Sequence, residues 1–180
     1  MGSALVVIDM LNTYDFEDAD KLVASAEQAV PKIAELIDRA RREDVPVIYV
    51  NDNYGDWNSS VDELLENGLN GEHPELVEPI RPPDDVSFVI KARHSIFYGT
   101  PLDYMLDTEG IEEIVLTGQA TEQCVLYSAL DAHVRGRSTI VPRDCVAHID
   151  NELADAALKM MERNMRADVS PARDRGCTPR

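Results

Sequence analysis

The chain has 180 residues, 44% of them hydrophobic, with 17 basic and 34 acidic side chains and a formal net charge of −17 at pH 7. This acidity argues against nucleic acid and against anionic membrane surfaces as partners, because both bind basic surfaces. The length suits one domain, residues 1–180, and no run approaches the roughly 20 apolar residues of a membrane span, so we expect a cytoplasmic protein.

The chain begins with a predicted strand, which is followed by a long predicted helix. Residues 5–8 form a short apolar run, typical of a buried parallel strand, which ends at Asp9. Apolar residues recur at helical spacing over residues 19–42, and Pro31 either kinks this helix or divides it into two.

Two more strands flank a long segment without sustained periodicity. Residues 45–50 predict the second strand and residues 87–90 the third, which ends at Lys91. We expect residues 51–85 to be irregular, and segments of that kind are usually functional or mobile.

The second half continues the alternation of strands and helices. Its predicted elements are a short helix at 102–106, a strand at 114–116, a helix at 122–134, a strand at 138–141, a helix at 154–167 and a loose tail at 170–180. Such alternation predicts a three-layer α/β/α fold, with a mostly parallel sheet covered by helices on both faces.

Polar groups follow the predicted strands at their carboxyl ends, where open α/β sheets bind ligands. These groups are Asp9, Asp52, Lys91 and the 118–124 loop that leads to Cys124. A thiol at a strand-to-helix turn lies near free amide groups and the positive end of the helix dipole, which favour a thiolate. Asp9 can accept its proton, and Lys91 can orient Asp9 and favour the thiolate.

Each of these side chains, taken alone, also has a structural interpretation. Asp9 suits a cap or turn, Lys91 a solvated strand end and Cys124 a small buried hydrophobe. Cys145 and Cys177 receive only the last interpretation, and three cysteines without close pairing indicate neither a disulfide framework nor structural zinc.

Three ordered blocks, residues 6–12, 91–102 and 118–125, resemble the isochorismatase-like family of cysteine hydrolases. The family includes nicotinamidases, N-carbamoylsarcosine amidohydrolases and isochorismatases, and the resemblance extends from residue 5 to about residue 169. It implies a parallel sheet, a catalytic triad of Asp9, Lys91 and Cys124, and a homo-oligomer, a dimer or a tetramer.

The resemblance also implies a cis peptide bond between Gln119 and Ala120. This bond would aim the Ala120 N–H, together with that of Cys124, at the oxyanion of the reacting carbonyl. Family nicotinamidases bind a metal through an Asp and two His near the second strand end. Here no His follows Asp52 until His73, so we expect neither a metal nor another cofactor.

Further polar and aromatic residues near these blocks are candidates for binding a small-molecule substrate. They are Asn12, Tyr14, Phe16, Asp52, Asn53, Trp57, His94, Phe97 and Tyr127. Trp57 equally suits an oligomer contact, and His94 equally suits a surface position. The many acids of residues 52–85 disfavour an anionic substrate and favour a neutral or cationic amide.

Retention of Cys124 favours hydrolysis of a C–N bond in a small amide or ureido compound through a thioester. One alternative is an isochorismatase-type vinyl-ether hydrolase, which would need Asp9 and Lys91 but tolerate loss of Cys124. Another is a non-catalytic binding or scaffold protein, whose Cys124 would react with alkylating agents no faster than free cysteine.

Overall fold

A computed structural model describes residues 2–174 of the chain. Its central sheet has five parallel strands in the order β3-β2-β1-β4-β5. The strands are β1 Gly2–Ile8, β2 Val47–Asp52, β3 Ser87–Lys91, β4 Ile111–Gly118 and β5 Ser138–Ile140. The helices are α1 Ala19–Arg42, α2 Val61–Leu69, α3 Pro74–Val77, α4 Leu102–Thr108, α5 Leu126–Val134 and α6 Asn151–Met165.

The sheet is apolar on both faces, as its central strand shows. Leu5 and Val7 of β1 pack into one cluster with residues of α1, α2 and α3, whereas Val6 and Ile8 pack into a second cluster with residues of α4, α5 and α6. Side chains alternate between the faces of a strand, so a strand buried on both sides reads as a continuous apolar run. The predicted α/β fold, with helices on both faces of a parallel sheet, is confirmed.

The first predicted helix is one continuous element, α1, in spite of Pro31. Proline leaves the carbonyl four residues earlier, that of Glu27, without its helical partner. Both Pro31 and Glu27 are exposed. Water can therefore satisfy this carbonyl, and the helix continues.

The prediction that residues 51–85 are irregular is wrong, because the segment contains α2, α3 and a 3-10 turn at Glu78–Ile80. Ser60 and Glu63 form a capping box at the start of α2: the Glu63 N–H donates to Ser60 Oγ at 3.3 Å, and the Ser60 N–H donates to Glu63 Oε2 at 3.0 Å. The Ser-x-x-Glu spacing was the available signal. Only Leu64 and Gly68 of α2 are buried, so its apolar periodicity is weak.

The remaining element boundaries differ from the predictions by at most four residues, the largest difference being the start of α5, which a π-helical turn at Thr121–Val125 precedes. At the end of the described chain, the Ala172 N–H donates to Asp144 Oδ1 at 2.8 Å and Arg39 Nη2 donates to the Ala172 carbonyl at 2.9 Å. The first residues of the predicted loose tail are thus held against α1, and the rest, 175–180, lies outside the described residues. No helix within 2–174 combines the length and the apolarity that crossing a membrane requires.

Candidate active site

Four strand ends meet at one edge of the sheet. Asp52 at the end of β2 is in register with Lys91 at the end of β3, and Ile8, directly before Asp9, is in register with Gly118 at the end of β4. The parallel ladder therefore brings together groups that are far apart in sequence, as the strand-end pattern predicted.

Lys91 lies between two carboxylates. Its Nζ is 2.8 Å from Asp9 Oδ2 and 3.2 Å from Asp52 Oδ2, and its side chain is 0% exposed. Desolvation by burial lowers the pKa of Lys91, but the adjacent Asp9, Cys124 and Asp52 together raise it above its ordinary value. The ammonium stays charged at neutral pH.

Asp9 is buried, and both of its oxygens have partners. Oδ2 pairs with Lys91, and Oδ1 accepts the backbone N–H of Asp52 at 2.7 Å. Burial raises the pKa of Asp9, and the Lys91 ammonium and the hydrogen bonds reverse only part of that rise. The result is a carboxylate that is a stronger proton acceptor than an exposed aspartate.

Cys124 contacts three polar side chains. Its Sγ is 3.6 Å from Lys91 Nζ and 3.7 Å from His94 Nδ1, and it is hydrogen-bonded to Asp9. The residue lies in a π-helical turn, Thr121–Val125, that leads into α5.

The sequence predicted a thiolate at Cys124, but the surroundings favour the protonated thiol. Burial is the largest effect that raises the pKa of Cys124, and the Asp9 charge raises it further, while Lys91 lowers it only in part. Cys124 therefore carries its proton at rest and has Asp9 as an adjacent acceptor.

Glycine is required where β4 ends. Gly118 has φ of +108°, and a Cβ at this position would lie 2.1 Å from the Ile8 carbonyl oxygen. No other residue fits this close approach between β4 and β1. The peptide bond that follows, between Gln119 and Ala120, is cis.

Gln119 ties this turn to the strand that carries Asp9. Its N–H donates to the Ile8 carbonyl at 3.0 Å, and its Nε2 donates to the Asp9 carbonyl at 2.8 Å. Its Oε1 accepts the Tyr14 hydroxyl at 3.3 Å. The turn before Cys124 and the backbone of Asp9 are thus one hydrogen-bonded unit.

A cavity of about 410 Å³ opens over Cys124. Its lining includes Asp9, Asn12, Phe16, Asp52, His94, Gln119, Ala120 and Cys124, all of which the sequence singled out. It also includes Thr13, Asp15, Leu22, Tyr54, Gln123 and Ile149, which the sequence did not single out. Thr13 and Asp15 belong to the same loop as Asn12 and Phe16, and that proximity was the only available signal for them.

Nothing in the sequence indicated that Tyr54, Leu22 and Ile149 line the cavity. The Tyr54 hydroxyl donates to the Leu11 carbonyl at 3.0 Å, which turns a residue next to the β2 strand end into the cavity. Leu22 and Ile149 are apolar residues of the kind that fill a core, so no pattern marks them as part of a site.

Five residues proposed for substrate binding lie outside this lining. Tyr14 is 0% exposed and Phe97 is 4% exposed, so both belong to the core. Asn53 and Trp57 line a different cavity, also of about 410 Å³, and Tyr127 packs on His94 with ring centroids 5.4 Å apart.

Phe97 is buried because its loop is fastened to α5. The Ser95 hydroxyl is hydrogen-bonded to Asp131, and the Ile96 N–H donates to Ser128 Oγ at 3.1 Å. The Arg135 guanidinium covers the Phe97 ring at 4.8 Å. These contacts direct Phe97 inward and leave His94, on the outer side of the same loop, at the cavity.

Among residues 2–174, no three His, Cys, Asp or Glu side chains converge in an arrangement that could hold a metal ion. His73, the first histidine after Asp52, is hydrogen-bonded to Glu75 at 2.8 Å and packs edge-on against Tyr14.

The chain is also similar in sequence to known proteins. The isochorismatase domain profile matches residues 3–174. An uncharacterized isochorismatase family protein of Bacillus subtilis (strain 168), YaaI, is 35% identical over 167 residues, which cover 93% of this chain and 92% of that protein.

Two solved structures share the fold. N-carbamoylsarcosine amidase from Thermoplasma acidophilum has 32% identity and a TM-score of 0.74, covering 95% of this chain and 96% of that one. The nicotinamidase SaPncA from Staphylococcus aureus has 26% identity and a TM-score of 0.74, covering 96% and 99%. The domain match, the relative and the fold together establish that this chain belongs to the isochorismatase family of hydrolases.

Proposed function

We propose that the chain is a thiol-dependent hydrolase that cleaves a C–N bond in a small amide or ureido compound. The observation that supports this most directly is the meeting of Cys124, Asp9 and Lys91 at one cavity. A nucleophile beside a proton acceptor, itself oriented by a third group, is the arrangement of covalent catalysis. Two structures of similar fold are amidases by name.

In the first half-reaction, ionised Asp9 takes the Cys124 proton as the sulfur bonds to the substrate carbonyl carbon. The C–N bond then breaks, and Asp9 returns the proton to the departing nitrogen. The product is a thioester on Cys124 and a free amine or ammonia. Lys91 stays charged throughout and compensates the negative charge that moves between carboxylate and sulfur.

The negative charge on the carbonyl oxygen needs N–H donors at the Cys124 turn. The Ala120 carbonyl accepts the N–H groups of Gln123 at 3.0 Å and Val125 at 3.2 Å, and the Cys124 N–H is not one of its donors. We propose that the N–H groups of Ala120 and Cys124 donate hydrogen bonds to the oxyanion, because neither is needed to satisfy the Ala120 carbonyl.

The charge of the cavity favours neutral or cationic substrates. Asp9, Asp15 and Asp52 contribute carboxylates to its lining, whereas His94 is the only basic side chain that residues 2–174 contribute there. Lys91 lies behind Asp9 and Asp52, paired with both. An anionic substrate would meet these carboxylates, while a neutral amide or an amide with an ammonium group would not be repelled.

Ammonia or amine release from a panel of small amides and ureas tests this proposal. The panel includes nicotinamide, N-carbamoyl amino acids and lactams, each run with the native chain, Cys124→Ala and Cys145→Ala. We expect release by the native chain and by Cys145→Ala, whose thiol is fully buried away from the cavity, and none by Cys124→Ala. Near-normal release by Cys124→Ala would contradict the mechanism.

Cys124→Ala and a further variant, Lys91→Met, separate the vinyl-ether alternative from the proposed function. Vinyl-ether hydrolysis would survive Cys124→Ala and be lost in Lys91→Met. The sequence suggested slow alkylation of Cys124 as the mark of a non-catalytic protein. The raised pKa of Cys124 predicts slow alkylation for the enzyme as well, so this measurement does not separate the two.

A further inference from the structure

The Cys124 sulfur has buried neighbours and one exposed neighbour. Asp9 and Lys91 contact it from the strand ends, with side chains 9% and 0% exposed. His94 contacts it with Nδ1 at 3.7 Å, from an exposed position in the cavity lining. Two proton acceptors of different accessibility thus adjoin one nucleophile.

His94 is held in place although it is exposed. Its ring packs on Tyr127 of α5, with centroids 5.4 Å apart and planes inclined by 31°. The backbone that follows it is anchored to α5 by the Ile96 N–H, which donates to Ser128 Oγ at 3.1 Å. The imidazole is therefore positioned from two directions beside the sulfur.

Asp9 is less suited to the second half-reaction than to the first. Its oxygens are engaged by Lys91 and by the Asp52 N–H, and little of the side chain is open to solvent. The water that opens a thioester must enter through the cavity, where the His94 ring lies. A general base must reach the proton it removes directly or through one water, and His94 meets that condition on the open side.

We propose that His94 is the general base of thioester hydrolysis, while Asp9 serves formation of the thioester. This inference rests on the proposed function. In the step, the water oxygen bonds to the carbonyl carbon as His94 takes a water proton. The C–S bond then breaks, the acid product leaves, and His94 returns the proton to the Cys124 sulfur.

The test compares His94→Gln with His133→Gln, the same substitution at an exposed position of α5 outside the cavity lining. The substrate is an amide that the native chain hydrolyses. Rapid-quench measurement follows the first turnover, and intact mass follows Cys124. For His94→Gln we expect a burst of about one amine per chain at the native rate, steady-state turnover lowered about 10²-fold or more, and an acyl adduct on Cys124.

His133→Gln should show the native pattern without an adduct. Added imidazole should restore part of the turnover of His94→Ala, because a free base can replace the missing ring. A His94→Gln burst slowed as much as turnover, without an adduct, would assign His94 to amine departure and overturn the proposal. Unchanged turnover would overturn it too, with the proposed function intact. Absence of amine release by the native chain across the whole panel of amides and ureas, from which the substrate is chosen, would refute both.

Discussion

Cys124 is controlled by two neighbours of opposite charge that are also bonded to each other. Asp9 raises the pKa of the thiol and Lys91 lowers it, and burial decides the balance in favour of the protonated form. In the proposed mechanism, the nucleophile is therefore generated on attack by proton transfer to Asp9, and a standing thiolate is not required.

Asp9→Asn should separate thiol reactivity from catalysis. Without the carboxylate, Lys91 still favours the thiolate, so alkylation of Cys124 by iodoacetamide should become faster while amide turnover is lost. Lys91→Met should slow alkylation, because it leaves the sulfur beside the Asp9 carboxylate without the compensating ammonium. Site-resolved mass spectrometry measures both rates apart from Cys145 and Cys177. Equal alkylation rates in the two variants would refute this account of the thiol.

The pH dependence follows from the raised pKa of Asp9. The carboxylate must be ionised to accept the thiol proton, so kcat/KM should fall as the pH drops through a value above the ordinary 3.8. A profile of kcat/KM against pH, with the fold monitored by circular dichroism, measures that value. An acid limb at or below 3.8 would contradict the assignment.

The pairing of Lys91 makes the stability of the fold depend on pH as well. The pKa of Lys91 is raised above 10.5, so its pairing stabilises the fold fully below that pH, and the contribution is lost as the pH rises through the raised value.

The strand ends could be predicted from the sequence, whereas the directions of loop side chains could not. Asp9, Lys91 and Cys124 follow apolar runs whose carboxyl ends necessarily meet in a parallel sheet. Phe97 and Trp57 lie in loops: contacts with α5 and Arg135 turn Phe97 inward, whereas Trp57 is 81% exposed, and no periodicity reveals either direction.

Helix α2 supports the cavity although it contributes none of its lining. Gly68 of α2 packs against the backbone of Asn12, and Gly71, just beyond the helix, packs against the backbone of Thr13. The Glu72 N–H donates to the Thr13 carbonyl at 3.0 Å. The segment that the sequence left irregular thus holds the loop that forms one wall of the site.

Alanine at Gly71 and at Gly68 should have opposite effects. A Cβ at Gly71 would lie 2.7 Å from the Thr13 Cα and carbonyl oxygen, whereas one at Gly68 would meet its neighbours at 3.4 to 3.5 Å. We expect Gly71→Ala to lower the free energy of unfolding by about 1–3 kcal/mol and to raise KM as the Thr13 wall moves. Gly68→Ala should leave stability unchanged or raise it by up to about 1 kcal/mol.

Urea denaturation and steady-state kinetics measure both variants. Gly68→Ala is the control for adding a methyl group in this region. Equal stability and equal KM in the two variants would show that the contact between Gly71 and Thr13 does not set the shape of the wall.

Over the whole molecule, the net charge of −17 acts on any charged substrate that approaches the cavity. The attraction between this negative charge and a cationic substrate is screened over about 8 Å at physiological ionic strength. The kcat/KM of a cationic amide should therefore fall several-fold between about 0.01 and 0.5 M salt, while that of a neutral amide of similar size stays constant. Equal salt dependence for both would show that the acidic surface does not steer substrates.

The ladder of β3, β2, β1 and β4 places Lys91, Asp52, Asp9 and Gly118 at neighbouring strand ends. The spacing of the groups that we propose to react is therefore a property of the sheet, whereas much of the cavity wall comes from the loops after β1 and β2. Changes in those loops alter what fits in the cavity without moving the proposed reacting groups. A chain of this fold can therefore acquire new substrates through substitutions in these loops, while the sheet keeps the proposed reacting groups in the same positions.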